Sequence, residues 1–384
     1  MFKPLPRKIL AGSLSLFLAT LACFQGARVV EIKQVDANPT PQNLITQEVQ
    51  VISEPLSGKR LDCPVVAGIT NAKTAWVKLD TQKVQYINII EADSLGRMWL
   101  ATDGNGLTLF DGKEWKNWQS ETRKDMSYDA LRTMAVSDSH VYAGAYGSSE
   151  GGNLLIYDIQ KDKWSTIKPN PSTLSGNVIG GVAINPQGEV FMATTSAIDV
   201  YNGTSWRHIQ TPDRPEFLMF MVEDGLFDHD GNYWLATSQS TGVWKYDGEN
   251  WTVFNAENGE LSSNQVNALA VDSKNRIWAA TINGLSVYDG TWRTFSTEKY
   301  PWFEGWLMDV EIDAQDRVWV VTHEEITVFN GSEIAVFKPD LVNETIWGDT
   351  IGFDQYGCAW HDSLFGLVIL REEVTLSPGV YDFK

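Results

Sequence analysis

The chain has 384 residues, 43% of them apolar, with 16 tryptophans and three cysteines, which is enough apolar mass for one large all-β domain or two ordinary ones and excludes a disordered chain. Its formal charge is −19, or about −22 once a leader carrying Lys3, Arg7 and Lys8 is removed, so a polyphosphate backbone would be repelled and nucleic acid is not an expected partner.

The N-terminus, "MFKPLPRKILAGSLSLFLATLACFQGA", has a basic start and an apolar run over residues 9–24, short for a membrane span and right for a signal sequence. Within it "ATLAC" resembles a bacterial lipobox, in which Cys23 would be acylated, although Thr20 and Leu21 are not the usual types. Plain cleavage, lipidation at Cys23 and an uncleaved anchor all remain open. Cys63 and Cys358 are left as one disulfide candidate, or as two separate thiols, in a compartment where disulfides persist. The expected division is a leader over residues 1–24, a flexible Pro-, Gln-, Asn- and Thr-rich tether over 25–71, a folded region over 72–374 and a C-terminal tail over 375–384.

The folded region repeats itself. "IIEADSLGRMWLATDGNGLTLFDGKEWKNW", "GLFDHDGNYWLATSQSTGVWKYDGENWTVF" and "VNALAVDSKNRIWAATINGLSVYDGTWRTF" are three of seven such units, anchored at Trp99, Tyr142, Phe191, Trp234, Trp278, Trp319 and Trp360. The anchors lie about 41 to 49 residues apart, the period of a four-stranded propeller blade. Each unit reads as an inner strand, an Asp-x-x-Gly turn, a second strand with the anchor, a third strand, a tight "DG" or "NG" turn and an outer strand. The outer strands carry Trp115, Trp164, Trp206, Trp251 and Trp292. Unit seven stops short of its outer strand, and "AKTAWVKLDTQ" at Ala72 to Gln82 resembles the missing piece, so Trp76 is expected to close the ring. The fold class expected is an all-β, seven-bladed propeller with the tryptophans as wedges between blades.

The segment "FNAENGELSSNQVNALAVDSKNRIWAATINGLSVYDGTW" resembles the two-component regulator propeller repeat of extracytoplasmic sensor regions in bacterial hybrid histidine kinases. The likeness extends over 72–374 and rests on the Asp-x-x-Gly turn, the Trp-x-x-Thr strand and the Gly-Leu-x-x-Tyr-Asp-Gly segment. It implies a sensor-type propeller, and direct phosphotransfer is not expected because the sequence shows no kinase or response-regulator region. Blades two and six depart from the pattern, with Tyr142 for tryptophan in one and "NGSEIAVF" lacking an outer tryptophan in the other. A fainter resemblance, in fold and Gly-x-x-Trp rhythm, is to the streptogramin lyases and implies a metal-assisted acid and base.

Propellers bind ligands where their inner strands begin. Five residues before each turn aspartate stand Asn88, Glu223, Asn267, Met308 and Asp349, with Arg132 and Gly180 by alignment. They form either a ring of recognition groups or a solvated lining. The loops entering blades four, six and seven carry Phe217, Tyr300, Trp302, Phe303, Trp306 and Trp347, which form a stacking platform for a sugar or a protein, or else fold back as local core. His323 and His361 fall in expected strand-two to strand-three loops beside Glu324, Glu325 and Asp362. They are weak catalytic candidates, His323, Glu324 and His361 being the set a lyase would use, and ordinary surface groups otherwise. "DHDGN" at Asp228 to Asn232 reads as a turn rather than a calcium loop. The function expected is extracytoplasmic recognition of a glycan, small molecule or envelope protein by a monomeric propeller, with no cofactor or bound metal and membrane contact only through the leader or a lipid. The alternatives are a lyase-like enzyme and a scaffold for an envelope complex.

Overall fold

The computed structural model describes residues 57–60, 76–78 and 86–378, the last without 146–151, 212–221, 239–240, 297–299, 301–302, 304, 324, 338–339, 342–343, 346–347, 364–365, 371 and 375. Cys23, Cys63, Phe217, Trp302, Glu324 and Trp347 lie outside the described residues, as does the leader. Among the described residues no helix is long and apolar enough to cross a membrane.

Seven antiparallel sheets form the blades of a β-propeller. Blade one runs outward through Ile87–Ala92, Met98–Thr102, Leu107–Phe110 and Trp115–Trp118. The inner strands of blades two to seven are Leu131–Val136, Ile179–Ile184, Val222–Phe227, Val266–Val271, Leu307–Ile312 and Ile351–Phe353. The strand Trp76–Lys78 pairs with Gly366–Leu370, Trp76 opposite Leu370, and supplies the outer strand of blade seven. This is the expected closure. Three further pairings lie beyond the expected grammar: Ser57–Arg60 pairs with Glu372–Val374, Ser377–Pro378 adds a fifth strand to blade six beside Glu333–Phe337, and Asp340–Leu341 pairs with Glu344–Thr345 between blades six and seven.

The apolar core is divided into seven clusters, each lying between two neighbouring blades and each holding one anchor aromatic. Trp99 fills the gap between blades one and two against Leu131, Met134 and Val141. Trp360 fills the gap between blades seven and one against Ile87 and Leu100. Because the indole carries a polar N–H into this apolar gap, it requires an acceptor. The turn aspartate provides it. Nε1 of Trp99, Trp234, Trp278, Trp319 and Trp360 donates to Oδ2 of Asp93, Asp228, Asp272, Asp313 and Asp354 at 2.7–3.0 Å. The other oxygen, in blade five for example, accepts the backbone N–H groups of Lys274 and Arg276, both at 3.0 Å.

The two departures fit the same physics. Where the anchor is Phe191, with nothing to donate, the turn residue is Asn185, whose Oδ1 accepts only from Gln187 and Glu189. Where the anchor is Tyr142, the turn residue is Ser137. A carboxylate buried without its indole would be expensive, and these blades avoid it.

The remaining motif residues have equally local roles. The threonine ending strand two, as in Thr102, Thr237 and Thr281, donates to the carbonyl of the glycine opening strand three at 2.7–2.8 Å. That glycine has positive φ in blade one, +74° at Gly106, and a Cβ there would strike the carbonyl of Trp118.

Asp272→Ala would leave an indole and two backbone N–H groups without their acceptor, and should cost about 2–4 kcal/mol by chemical denaturation. In a double-mutant cycle with Trp278→Phe the two losses should be non-additive by at least about 1 kcal/mol. A chain lacking residues 1–78 should melt well below the full chain, since it exposes the edge of blade seven.

Candidate functional site

The inner strands have no strand partner on their channel side, so their edge N–H and C=O groups need other partners. Side chains of the preceding blade supply them. Thr133, Asp224 and Asp309, at one equivalent position in blades two, four and six, accept from Val182 N, Leu269 N and Ile351 N at 3.1, 2.9 and 2.9 Å. Asn88 and Asn267 donate from Nδ2 to Leu131 O and Leu307 O at 2.8 and 2.7 Å. The polar lining thus sews blade to blade.

The residues found by counting back from the turn share a backbone cause. In each of the first six inner strands the pairing register shifts at that residue: Asn88, Arg132, Gly180, Glu223, Asn267 and Met308. A bulge re-aims its side chain, here toward the channel. Asn88, Arg132, Glu223, Asn267, Met308 and Asp349 all line one central channel of about 820 Å³. Asn88 and Asn267 are committed to sewing, and Arg132 Nη2 reaches across glycine-bearing blade three to pair with Glu223 Oε2. Glu223's second oxygen and Met308 face the mouth without such a task, and Asp349 pairs there with His323 of blade six.

Four carboxylates deeper in the channel, Glu91, Asp224, Asp309 and Glu311, escaped the sequence reading. Their signal was there, as acids inside otherwise apolar inner strands such as "IIEAD" and "VEIDA". Enclosure by protein raises all four above the ordinary carboxyl range, Glu91 to about 8 and Asp309 to about 7, and the neighbouring negative charges push the same way.

At the mouth between blades six and seven, His323 Nδ1 lies 2.9 Å from Asp349 Oδ1 with both side chains substantially exposed. The backbone N–H groups of Asp349 and Thr350 donate to Asp362 Oδ1 at 2.7 and 2.9 Å, and burial raises Asp362 to about 8. His361 is not in a loop as expected. It lies within the strand Ala359–Ser363, 1% exposed, where its Nδ1–H donates to Thr350 O at 2.9 Å. Burial lowers its pKa to about 4, so it is neutral at ordinary pH. The signal was its place directly after the anchor, which Leu100, Leu235, Ala279 and Val320 occupy in other blades. Among the described residues no three His, Cys, Asp or Glu side chains converge on one point to hold a metal ion.

The aromatic loop residues divide. Tyr300 and Phe303 fold back into the cluster between blades five and six, whereas Trp306 is 55% exposed at the start of blade six. Tyr86, which the sequence reading missed, occupies the equivalent position before blade one, 63% exposed and with φ of +57°. Cys358 is buried and disulfide-bonded, and both other cysteines lie outside the described residues.

Known proteins can be set beside this geometry. Residues 260–283, from the loop before blade five into its third-strand turn, match the repeat described as two component regulator propeller. No curated protein matches the chain significantly in sequence. Among solved structures, the chain is similar to the extracellular domain of the putative hybrid two component system BT4673 from B. thetaiotaomicron, at 16% identity and a TM-score of 0.57, over 76% of this chain and 39% of that one. It is similar to a catalytically inactive virginiamycin B lyase from Staphylococcus aureus with quinupristin, at 12% identity and a TM-score of 0.60, over 77% and 97%. It is also similar to YCF48 bound to D1 peptide, at 13% identity and a TM-score of 0.59, over 82% and 100%. At such identities these likenesses establish the fold.

Raised carboxyl pKa values make the folded state hold protons that the unfolded chain has released, so their stabilisation is complete below about pH 4 and is lost as pH rises toward 8. His361 acts oppositely, its contribution being lost as pH falls from 6.5 toward 4. Of these groups, only the carboxyls still titrate above pH 6.5. The melting temperature should therefore fall from pH 6.5 to 8.5, and Glu91→Gln, which keeps the bond from Val136 N, should flatten that fall.

Proposed function

We infer that this chain, a seven-bladed propeller of the two-component regulator type, is an extracytoplasmic recognition module that binds its ligand or partner at the channel mouth, on the rim of blades four to seven. One observation carries this reading. Once the cross-blade contacts are made, including Arg132 with Glu223 and His323 with Asp349, the mouth keeps Met308, the second carboxylate oxygens of Glu223 and Asp349, and the exposed Trp306, all on blades four, six and seven. Exposed tryptophan beside uncommitted polar groups suits a glycan, a small molecule or an envelope protein.

The extracytoplasmic assignment draws on the leader-like N-terminus and on the likeness to an extracellular domain. A protein partner draws support from the likeness to a propeller bound to a peptide. A lyase-like enzyme keeps one observation in its favour, the His323–Asp349 pair, in which a carboxylate orients an imidazole at the mouth. His361 is too enclosed to serve it.

Trp306 is 55% exposed and belongs to none of the seven apolar clusters. Trp306→Ala should leave the melting temperature of the free protein unchanged within a degree or so and remove the thermal shift produced by a mouth ligand found by screening glycans, metabolites and envelope extracts. An undiminished shift in Trp306→Ala would exclude this rim. Were the lyase reading correct, His323→Ala would abolish a turnover measurable in the parent chain.

A further inference from the structure

We propose that the face opposite the mouth docks on an uncharged, zwitterionic lipid bilayer, with Leu95 and Tyr356 entering the headgroup region beside the place where the N-terminal segment joins the ring. This second surface draws on the leader-like N-terminus and not on what the mouth binds, and it turns the mouth away from the membrane.

A position in the repeat points to this face. In every blade the second residue after the turn aspartate, or after its substitute, stands in the turn between strands one and two, at the end of the inner strand remote from the mouth. Blades two to six place Ser139, Gln187, Asp230, Lys274 and Gln315 there, whereas blades one and seven place Leu95 and Tyr356. Leu95 is 64% exposed and Tyr356 48%. The two are neighbours, because blades one and seven adjoin at the ring closure and the Gln355 side chain lies directly against Gly96. One exposed apolar side chain needs no explanation, but two adjacent turns that both depart from a polar pattern mark a surface with a use.

The path of the chain says what meets that surface. The third strand of blade seven, Gly366–Leu370, ends on this face, with Leu370 opposite Ala359 just after the turn. Beyond it lies Glu372–Val374, where Ser57–Arg60 pairs and where Val374 O accepts from Arg317 Nη1 at 2.9 Å, beside the turn of blade six. Trp76, opposite Leu370, enters the ring at the same level. Cys358, two residues after Tyr356, is disulfide-bonded, and both other cysteines precede Trp76, so the N-terminal segment is also tied covalently to this face. The residues before Ser57 include the apolar run over 9–24, the part of the sequence suited to a bilayer. About thirty residues separate that run from Ser57, and a coil of such a length spans roughly 30 Å. A propeller held on so short a lead meets the bilayer at high effective concentration, so a weak contact suffices. Tyrosine is at home at headgroup level and leucine just beneath it. The formal charge of −19 opposes an anionic surface, which leaves an uncharged one.

The test is hydrogen exchange, read by mass spectrometry, on the full chain in phosphatidylcholine vesicles, with the double variant Leu95→Gln and Tyr356→Gln as the comparison. Glutamine already stands at this position in blades three and six, so the variant should keep the parent's melting transition. On vesicles the amides of Leu95, Gly96, Tyr356 and Gly357 should exchange at least about tenfold more slowly in the parent than in the variant, while the mouth and the blade-four turn at Asp230 exchange alike in both. Equal exchange of those four amides would overturn the proposal, as would a full chain that does not float with the vesicles. Slow exchange that persists at the same level without lipid would show the chain's own N-terminal segment covering the patch, and slow exchange that grows with protein concentration would show a second copy there; either result overturns bilayer docking. Binding of a mouth ligand should be the same in parent and double variant, so the two surfaces stand or fall separately.

Discussion

The hydrogen bond from a buried indole to a turn carboxylate is the interaction on which the rest of the molecule depends. A propeller has no central core; its stability lies in the gaps between blades, and each gap needs a large apolar wedge. Tryptophan fills the gap and brings an N–H that must be answered. The turn aspartate, six residues earlier, answers it with one oxygen and ties its own loop with the other. Arginine four residues after the aspartate, as in Arg97, Arg276 and Arg317, completes the arrangement by pairing with the carboxylate and lying over the indole face. Wedge, turn and charge are therefore one unit, which explains why the blades without tryptophan also lack the aspartate.

The same economy of local contacts shapes the channel. Inner strands leave one edge unpaired, and the side chains that would otherwise be free to bind something are first used to satisfy that edge. A polar channel lining is thus not by itself evidence of recognition: Asn88, Asn267 and Thr133 are already committed. What distinguishes the mouth is the residue left after this accounting, and the surplus is acidic and aromatic on one side of the ring.

Much of this was legible in the sequence because its determinants are close together. Asp272, Arg276 and Trp278 sit within seven residues, so the repeat exposes them. The channel positions were found by counting from the turn aspartate, since a bulge at a fixed distance from a fixed turn keeps its place. Positions defined by contact between distant blades were not legible. His361 looked like a loop histidine until the strand was seen to run past its anchor, and for Tyr300 and Phe303 the sequence left platform and local core open until they were found in the gap between blades five and six. Glu91 and Glu311 form one acidic space only because blades one and six flank blade seven, which no local pattern records.

If each wedge and its carboxylate lock one gap in a closed ring, no gap can open alone. Hydrogen exchange at the Nε1–H groups of Trp99, Trp234, Trp278, Trp319 and Trp360, followed by NMR, tests this most directly. All five should exchange with one common free energy of opening, equal to that of global unfolding. Exchange of one indole far faster than the others, without loss of the rest, would contradict the account.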